Sequence, residues 1–148
     1  MPHRDVLLVG LPTLGLGLAA AVARRLGHAR YVPLGTSRKF WYDEALSVPL
    51  ASVTSPGGGK RLYLDPRMLP LLEGRRIAVI DDALSTGSSM KAALELLALR
   101  NLRPVAIGAA MLQTGRWRGA LDPAIPVCGV FRSPLLERRG GGLWPLPD

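Results

Sequence analysis

A chain of 148 residues with 48 % apolar content can bury one core and is too apolar for disorder to be the default. Its net charge of +8 asks for an anionic partner, whether nucleic acid, membrane surface or phosphorylated small molecule. No charge-free apolar run reaches the roughly 20 residues of a membrane span, and the single cysteine, Cys128, excludes an internal disulfide and suits a reducing, cytoplasmic setting.

The N-terminal stretch MPHRDVLLVGLPTLGLGLAAAVARR is not read as a secretory leader. Asp5 interrupts its charged start, and Pro12 and the glycines break its apolar run. Asp5–Gly10 reads as a buried strand. Leu14–Leu26 reads as a helix capped by Gly27. Ala29–Leu34 is a second strand. Ala45–Val53 and Arg61–Leu64 read as extended segments on either side of SPGGGK. Arg75–Ile80 is a strand apolar enough to be buried on both faces. Ser88–Arg100 is a helix with Met90, Leu94, Leu97 and Ala98 on one face. Pro104–Met111 and Val127–Phe131 are further strands. The glycine- and proline-rich tail is expected to dock through Leu143 and Trp144.

Strands alternating with helices predict an α/β fold of three layers, a mainly parallel central sheet between flanking helices. The chain reads as one domain over 1–148, with a core near 5–112 and a C-terminal hood or tail near 113–148. In such sheets ligands sit beyond the carboxyl ends of the strands. That selects the loops after Gly10, after Leu34 and after Ile80.

The third of these is the most informative. In VIDDALSTGSS, residues 79–89, Asp81 and Asp82 are expected to end the strand and face solvent, and Ser85, Thr86, Gly87, Ser88 and Ser89 open a helix. A helix N-terminus offers free N–H groups and partial positive charge to a phosphate. Gly87 permits close approach or a positive φ, and the hydroxyls add donors. Carboxylates repel a phosphate but accept hydrogen bonds from a vicinal diol. Diol and phosphate together describe a ribose 5-phosphate. The plainer reading, a capped helix after a strand-end turn, does not call for four hydroxyls and a glycine behind two adjacent carboxylates.

Val79, Ile80, Asp81, Asp82, Thr86, Gly87 and Ser89 match the 5-phosphoribosyl-1-pyrophosphate (PRPP) signature, and the chain resembles the type I phosphoribosyltransferases in its adenine and xanthine branch over about residues 5–112. The resemblance implies transfer of ribose 5-phosphate from PRPP to a heterocyclic base, of the purine class by that branch and so in purine salvage, with release of pyrophosphate. It also implies a homodimer. By resemblance Asp81 and Asp82 hold the ribose hydroxyls, with Mg2+ reached indirectly through PRPP or water, and Ser85–Ser89 wrap the 5-phosphate. Leu11, Pro12, Thr13 and Leu14 stand where the family places its pyrophosphate loop, with Leu11 to Leu14 offering backbone amides. Arg38 and Lys39 match its basic dipeptide, although a solvated pair reads equally well. Lys60, in the glycine loop 52–65, is placed to touch departing pyrophosphate if that loop closes. Phe40, Trp41 and Tyr42 either stack on a base or pack.

Two departures stand out. The loop lacks the glutamate of the adenine enzymes. The first strand begins almost at Met1, so a hood over the base has to come from residues 113–148, where Asp122, Phe131 and Trp144 are candidates, or from a partner, or be absent. A non-catalytic PRPP-binding regulatory domain that contacts nucleic acid is the alternative, favoured by the charge. Other motifs fail: Leu16 and Gly17 follow Gly15 where a P-loop needs Lys and Ser or Thr. Gly15, Gly17 and Ala20 imitate a dinucleotide fingerprint without its acidic residue. No G-x-S-x-G elbow is present.

Overall fold

The computed structural model describes residues 5–50 and 59–146. Five parallel strands form one sheet in the order β2-β1-β5-β6-β7: β1 Val6–Gly10, β2 Val32–Pro33, β5 Arg76–Leu84, β6 Ala106–Gln113 and β7 Val127–Ser133. Two helices flank the sheet, α1 Gly15–Arg25 and α3 Ser88–Ala98. A short antiparallel ribbon, β3 Ser47–Pro49 with β4 Arg61–Tyr63, and the single-turn α2 Leu69–Leu72 precede β5. The chain closes with an antiparallel hairpin, β8 Leu136–Arg139 and β9 Gly142–Pro145. This is the expected α/β architecture.

Central β5 is apolar on both sides because both sides are covered. Ala78 and Ile80 join Leu8 against Ala19 and Ala23 of α1, whose small residues let the helix lie close. Ile77 and Val79 face the larger cluster, where Met90, Ala93, Leu96 and Leu97 of α3 meet Leu46, Val48 and Leu62. The helix face expected at Met90, Leu94, Leu97 and Ala98 is therefore displaced. Ala98 is exposed, and Ala92, Ala93 and Leu96 are buried, because α3 packs against both the sheet and the β3–β4 ribbon.

Strand lengths differ from expectation in two places that matter. The second strand shrinks to Val32–Pro33, where Pro33 has no N–H for the ladder, although Leu34 N still donates to Gly10 O at 2.9 Å. The central strand runs on to Leu84. Gly10 pairs with Ile80, so Asp81 and Asp82 extend past the end of β1 while still inside β5. The tail is a further correction. Trp144 is 60 % exposed, and its Nε1 donates to Arg139 O within its own hairpin instead of docking on the core. Among the described residues no helix is long and apolar enough to cross a membrane.

Candidate active site

The parallel sheet brings the loops after β1, β2 and β5 to one edge. Their centre is Asp81. The expectation of two solvent-facing carboxylates fails for Asp81, which is only 6 % exposed, while Asp82 is half-buried. Asp81 Oδ1 accepts from the Asp82 N–H at 2.8 Å. Burial, with a smaller push from neighbouring Asp82, raises the Asp81 carboxyl from 3.8 to about 7. Desolvation disfavours the charged form and a second carboxylate adds to it. A buried acid poised near neutrality gains from a cation or from hydroxyl donors placed beside it.

Gly15 explains how α1 reaches this carboxylate. A Cβ on Gly15 would stand 2.8 Å from Asp81 Oδ1 and 2.9 Å from Asp81 Cα, closer than side chains tolerate, so only glycine lets the helix start there. Gly17 has nothing within 4 Å of a built Cβ, and the dinucleotide pattern has no structural counterpart. Ahead of α1, the Pro12–Thr13 peptide is cis, Thr13 is exposed and Leu14 is 72 % exposed. Leu11 corrects the sequence reading. Its side chain is buried and its N–H donates to Ile80 O at 2.9 Å, so it has no free amide for an anion. Pro12 has no N–H either. Thr13 and Leu14 carry what the loop can offer through its amides.

On the other side of Asp81, Ser85–Ser89 turns from β5 into α3. With Asp81, Ala83, Leu84 and Met90 it lines a cavity of about 120 Å3. Thr86 Oγ1 lies 3.1 Å from Ser88 Oγ and accepts from the Ser88 N–H at 3.4 Å. Gly87 sits at φ 82, in the left-handed region. A Cβ there would approach Ala120 Cβ at 3.2 Å and Trp117 Cα at 3.3 Å. The glycine is therefore needed on its protein side, against the 3-10 turn Arg116–Gly119, and not to make room for an anion. From that turn Arg116 Nη2 donates to Ser85 Oγ at 3.1 Å. Nothing in the sequence signals this contact, because 31 residues separate the two.

The basic loop after β2 is held differently. Arg38 Nε pairs with Glu44 Oε1 at 3.1 Å, and Arg61 Nε approaches the other oxygen of Glu44 at 3.7 Å. Lys39 is exposed. Trp41 donates to Asp65 at 3.2 Å and lies under the Arg67 guanidinium, 4.4 Å from the ring centroid. The hydrogen bonds from Arg67 hold Asp65 down to about 2. Tyr42 packs on Tyr63, with ring centroids 5.7 Å apart, while Phe40 is 96 % exposed. Trp41 and Tyr42 pack, and the exposed Phe40 meets only the Trp41 ring edge-on, with centroids 4.9 Å apart. Among the described residues no hydrogen bond or ion pair ties Arg38 or Lys39 to Asp81, Asp82 or the 85–89 loop. Lys60 is exposed, its carbonyl accepting from Leu50 N–H at 2.9 Å. Residues 52–58, the first half of its glycine loop, lie outside the described residues.

A family model described as "Phosphoribosyl transferase domain" matches residues 2–127. The chain belongs to that family. As a phosphoribosyl transferase domain it is 32 % identical over 115 residues to the bifunctional protein PyrR of Streptomyces coelicolor, covering 73 % of this chain and 52 % of that protein, so it spans about half the length of that curated relative. Its fold matches adenine phosphoribosyltransferase from Thermoanaerobacter pseudethanolicus with a TM-score of 0.70 at 23 % identity, over 86 % of this chain and 70 % of the other. The Giardia lamblia enzyme complexed with 9-deazaadenine matches with a TM-score of 0.69 at 19 % identity, over 89 % and 74 %.

Within this family frame the hood candidates separate. Phe131 pairs with Met111 near the carboxyl edge of the sheet. Asp122 caps the turn to Ala124 and lines two cavities, one with Leu94, Ala98 and Leu102 at the far end of α3 and one with Trp117 and Arg118. Trp144 stays on its own hairpin. Among the described residues no group of three or more His, Cys, Asp or Glu is placed to hold a metal ion. The hard oxygens of Asp81 and Asp82 suit magnesium as outer partners.

Proposed function

We propose that this domain transfers ribose 5-phosphate from PRPP to a nitrogenous base, of the purine class, and releases pyrophosphate. The observation that carries the reading is the convergence at one sheet edge: two helix N-termini, α1 and α3, flank a buried carboxylate on the strand between them. Each N-terminus suits one phosphate group of PRPP, and Asp81 with Asp82 suits the ribose diol. Mg2+ bound with PRPP would be held by these carboxylates through PRPP or water and would offset pyrophosphate charge.

In the reaction the bond from ribose C1 to the pyrophosphate oxygen breaks, and pyrophosphate leaves with the electron pair. A base nitrogen supplies the pair for the new bond and its proton passes to solvent. The chain's own part is positioning and charge complementarity. Asp81 and Asp82 orient the ribose, Ser85–Ser89 holds the 5-phosphate, and Thr13, Leu14, Arg38, Lys39 and Lys60 face the leaving group. The purine class rests on the adenine phosphoribosyltransferases among the structural neighbours, and two copies of the chain would form the working unit.

The test is release of pyrophosphate from PRPP and magnesium in the presence of a panel of purines, pyrimidines and related heterocycles. Turnover with a purine is the expected result. The net charge of +8 favours a second reading, a PRPP-responsive regulator that contacts nucleic acid. No turnover with any base, tight PRPP binding and salt-sensitive retention on RNA or DNA would replace the first reading with the second.

A further inference from the structure

We infer that Arg116 is the charge partner of the 5-phosphate in this site; the inference rests on the PRPP reading. Ser85–Ser89 contains no charged side chain, and the acidic neighbour Asp81 lines the same cavity. Near neutral pH a sugar phosphate carries a charge of roughly −2. Hydroxyls and the α3 N-terminus supply donors but no full positive charge, so a cation within reach of the loop changes the electrostatic balance most.

Arg116 meets this need by position. Its Nη2 lies 3.1 Å from Ser85 Oγ, at the first residue of the loop. Among the described residues no carboxylate pairs with it, in contrast to Arg38, Arg61, Arg67, Arg76, Arg100 and Arg139. A guanidinium has five donors in a planar fork, so one bond to Ser85 leaves the others for phosphate oxygens, the geometry that favours bidentate contact.

The backbone beneath Arg116 is anchored. Its N–H donates to Thr114 Oγ1 at 3.3 Å, and Trp117, buried at the next position, donates from Nε1 to Thr114 O at 3.0 Å. The same Trp117 closes on Gly87. Arginine and phosphate loop therefore rest on one packed unit, and the long Arg116 side chain needs no rearrangement of the turn to meet a ligand. Its neighbour Arg118 lies over the Trp117 ring instead, 4.8 Å from the centroid, which makes it an internal control.

Titration calorimetry with ribose 5-phosphate and, separately, with pyrophosphate plus magnesium tests the assignment on wild type, Arg116→Gln, Arg116→Lys and Arg118→Gln, with thermal unfolding to confirm the fold. Arg116→Gln should weaken ribose 5-phosphate by about tenfold or more and leave pyrophosphate unchanged. Arg116→Lys, which keeps the charge without the fork, should fall between, and Arg118→Gln should match wild type. Ribose 5-phosphate binding in both Arg116 variants within about twofold of wild type overturns the inference alone, as does equal weakening of both ligands. Failure of wild type itself to bind ribose 5-phosphate overturns the PRPP reading and the inference with it.

Discussion

The two regions that the proposed function assigns to anions are built by opposite means. The loop opening α3 is wedged: Gly87 is backed by Trp117 and Ala120, and Arg116 closes on Ser85. The basic loop after β2 is tethered at the surface by the ion pairs of Glu44, with the buried Asp65 anchoring Trp41 and Arg67 beside it. A wedge resists displacement because interiors pack closely and leave no room to shift. A surface ion pair contributes little and exchanges easily with water. Under the proposed function, the first region is therefore suited to hold a constant part of the donor, and the second to change partners as pyrophosphate arrives and departs.

The strongest way to break this contrast is Gly87→Val. The positive φ and the crowded Cβ should together cost about 2–4 kcal/mol of stability, read as a fall in the thermal midpoint, and ribose 5-phosphate binding should fall with it. A variant as stable as wild type would show that the loop is not wedged.

Asp81 sits between the two regions and sharpens the comparison through pH. Its folded carboxyl titrates at about 7 against 3.8 ordinarily. A group raised on folding supports stability fully below its unfolded value and loses that support as pH rises through its folded one. Wild type without ligand should thus lose stability progressively between about pH 4 and pH 7. Asp81→Asn should not lose it, and denaturant titrations of the two should coincide near pH 4 and separate toward pH 8. Paired with Asp82→Asn, the same change should abolish PRPP binding, so stability and function should move in opposite directions.

The smallest effect belongs to the tethered loop. Glu44→Gln should shift stability by less than about 1 kcal/mol, because Arg38 and Glu44 both remain well exposed to water. It should strengthen pyrophosphate binding modestly by releasing Arg38, whereas Lys39→Ala should weaken pyrophosphate and leave ribose 5-phosphate nearly untouched. Calorimetry on the two ligands separates these outcomes. A Glu44→Gln variant that unfolds early would place that loop with the wedged one.

Much of this was legible in the chain itself. Apolar runs in Asp5–Gly10, Arg75–Ile80 and Pro104–Met111 specify buried strands, because parallel strands covered on both faces cannot alternate polar with apolar. The order Asp-Asp, hydroxyls, glycine, helix is written contiguously at 81–89, so a local pattern was enough to find it. What the sequence could not show is whatever depends on a neighbour distant along the chain. That Asp81 is buried inside a longer β5 follows from the approach of α1 at Gly15. That Leu11 has no free amide follows from its bond to Ile80. That Gly87 faces Trp117, and that Arg116 reaches Ser85, follow from how the turn after β6 folds back beside its neighbour strand. Hydrophobic periodicity reports which face of an element is covered, but not by what. The chemistry of this site is set by those covering residues, and only the packed sheet brings them to one edge.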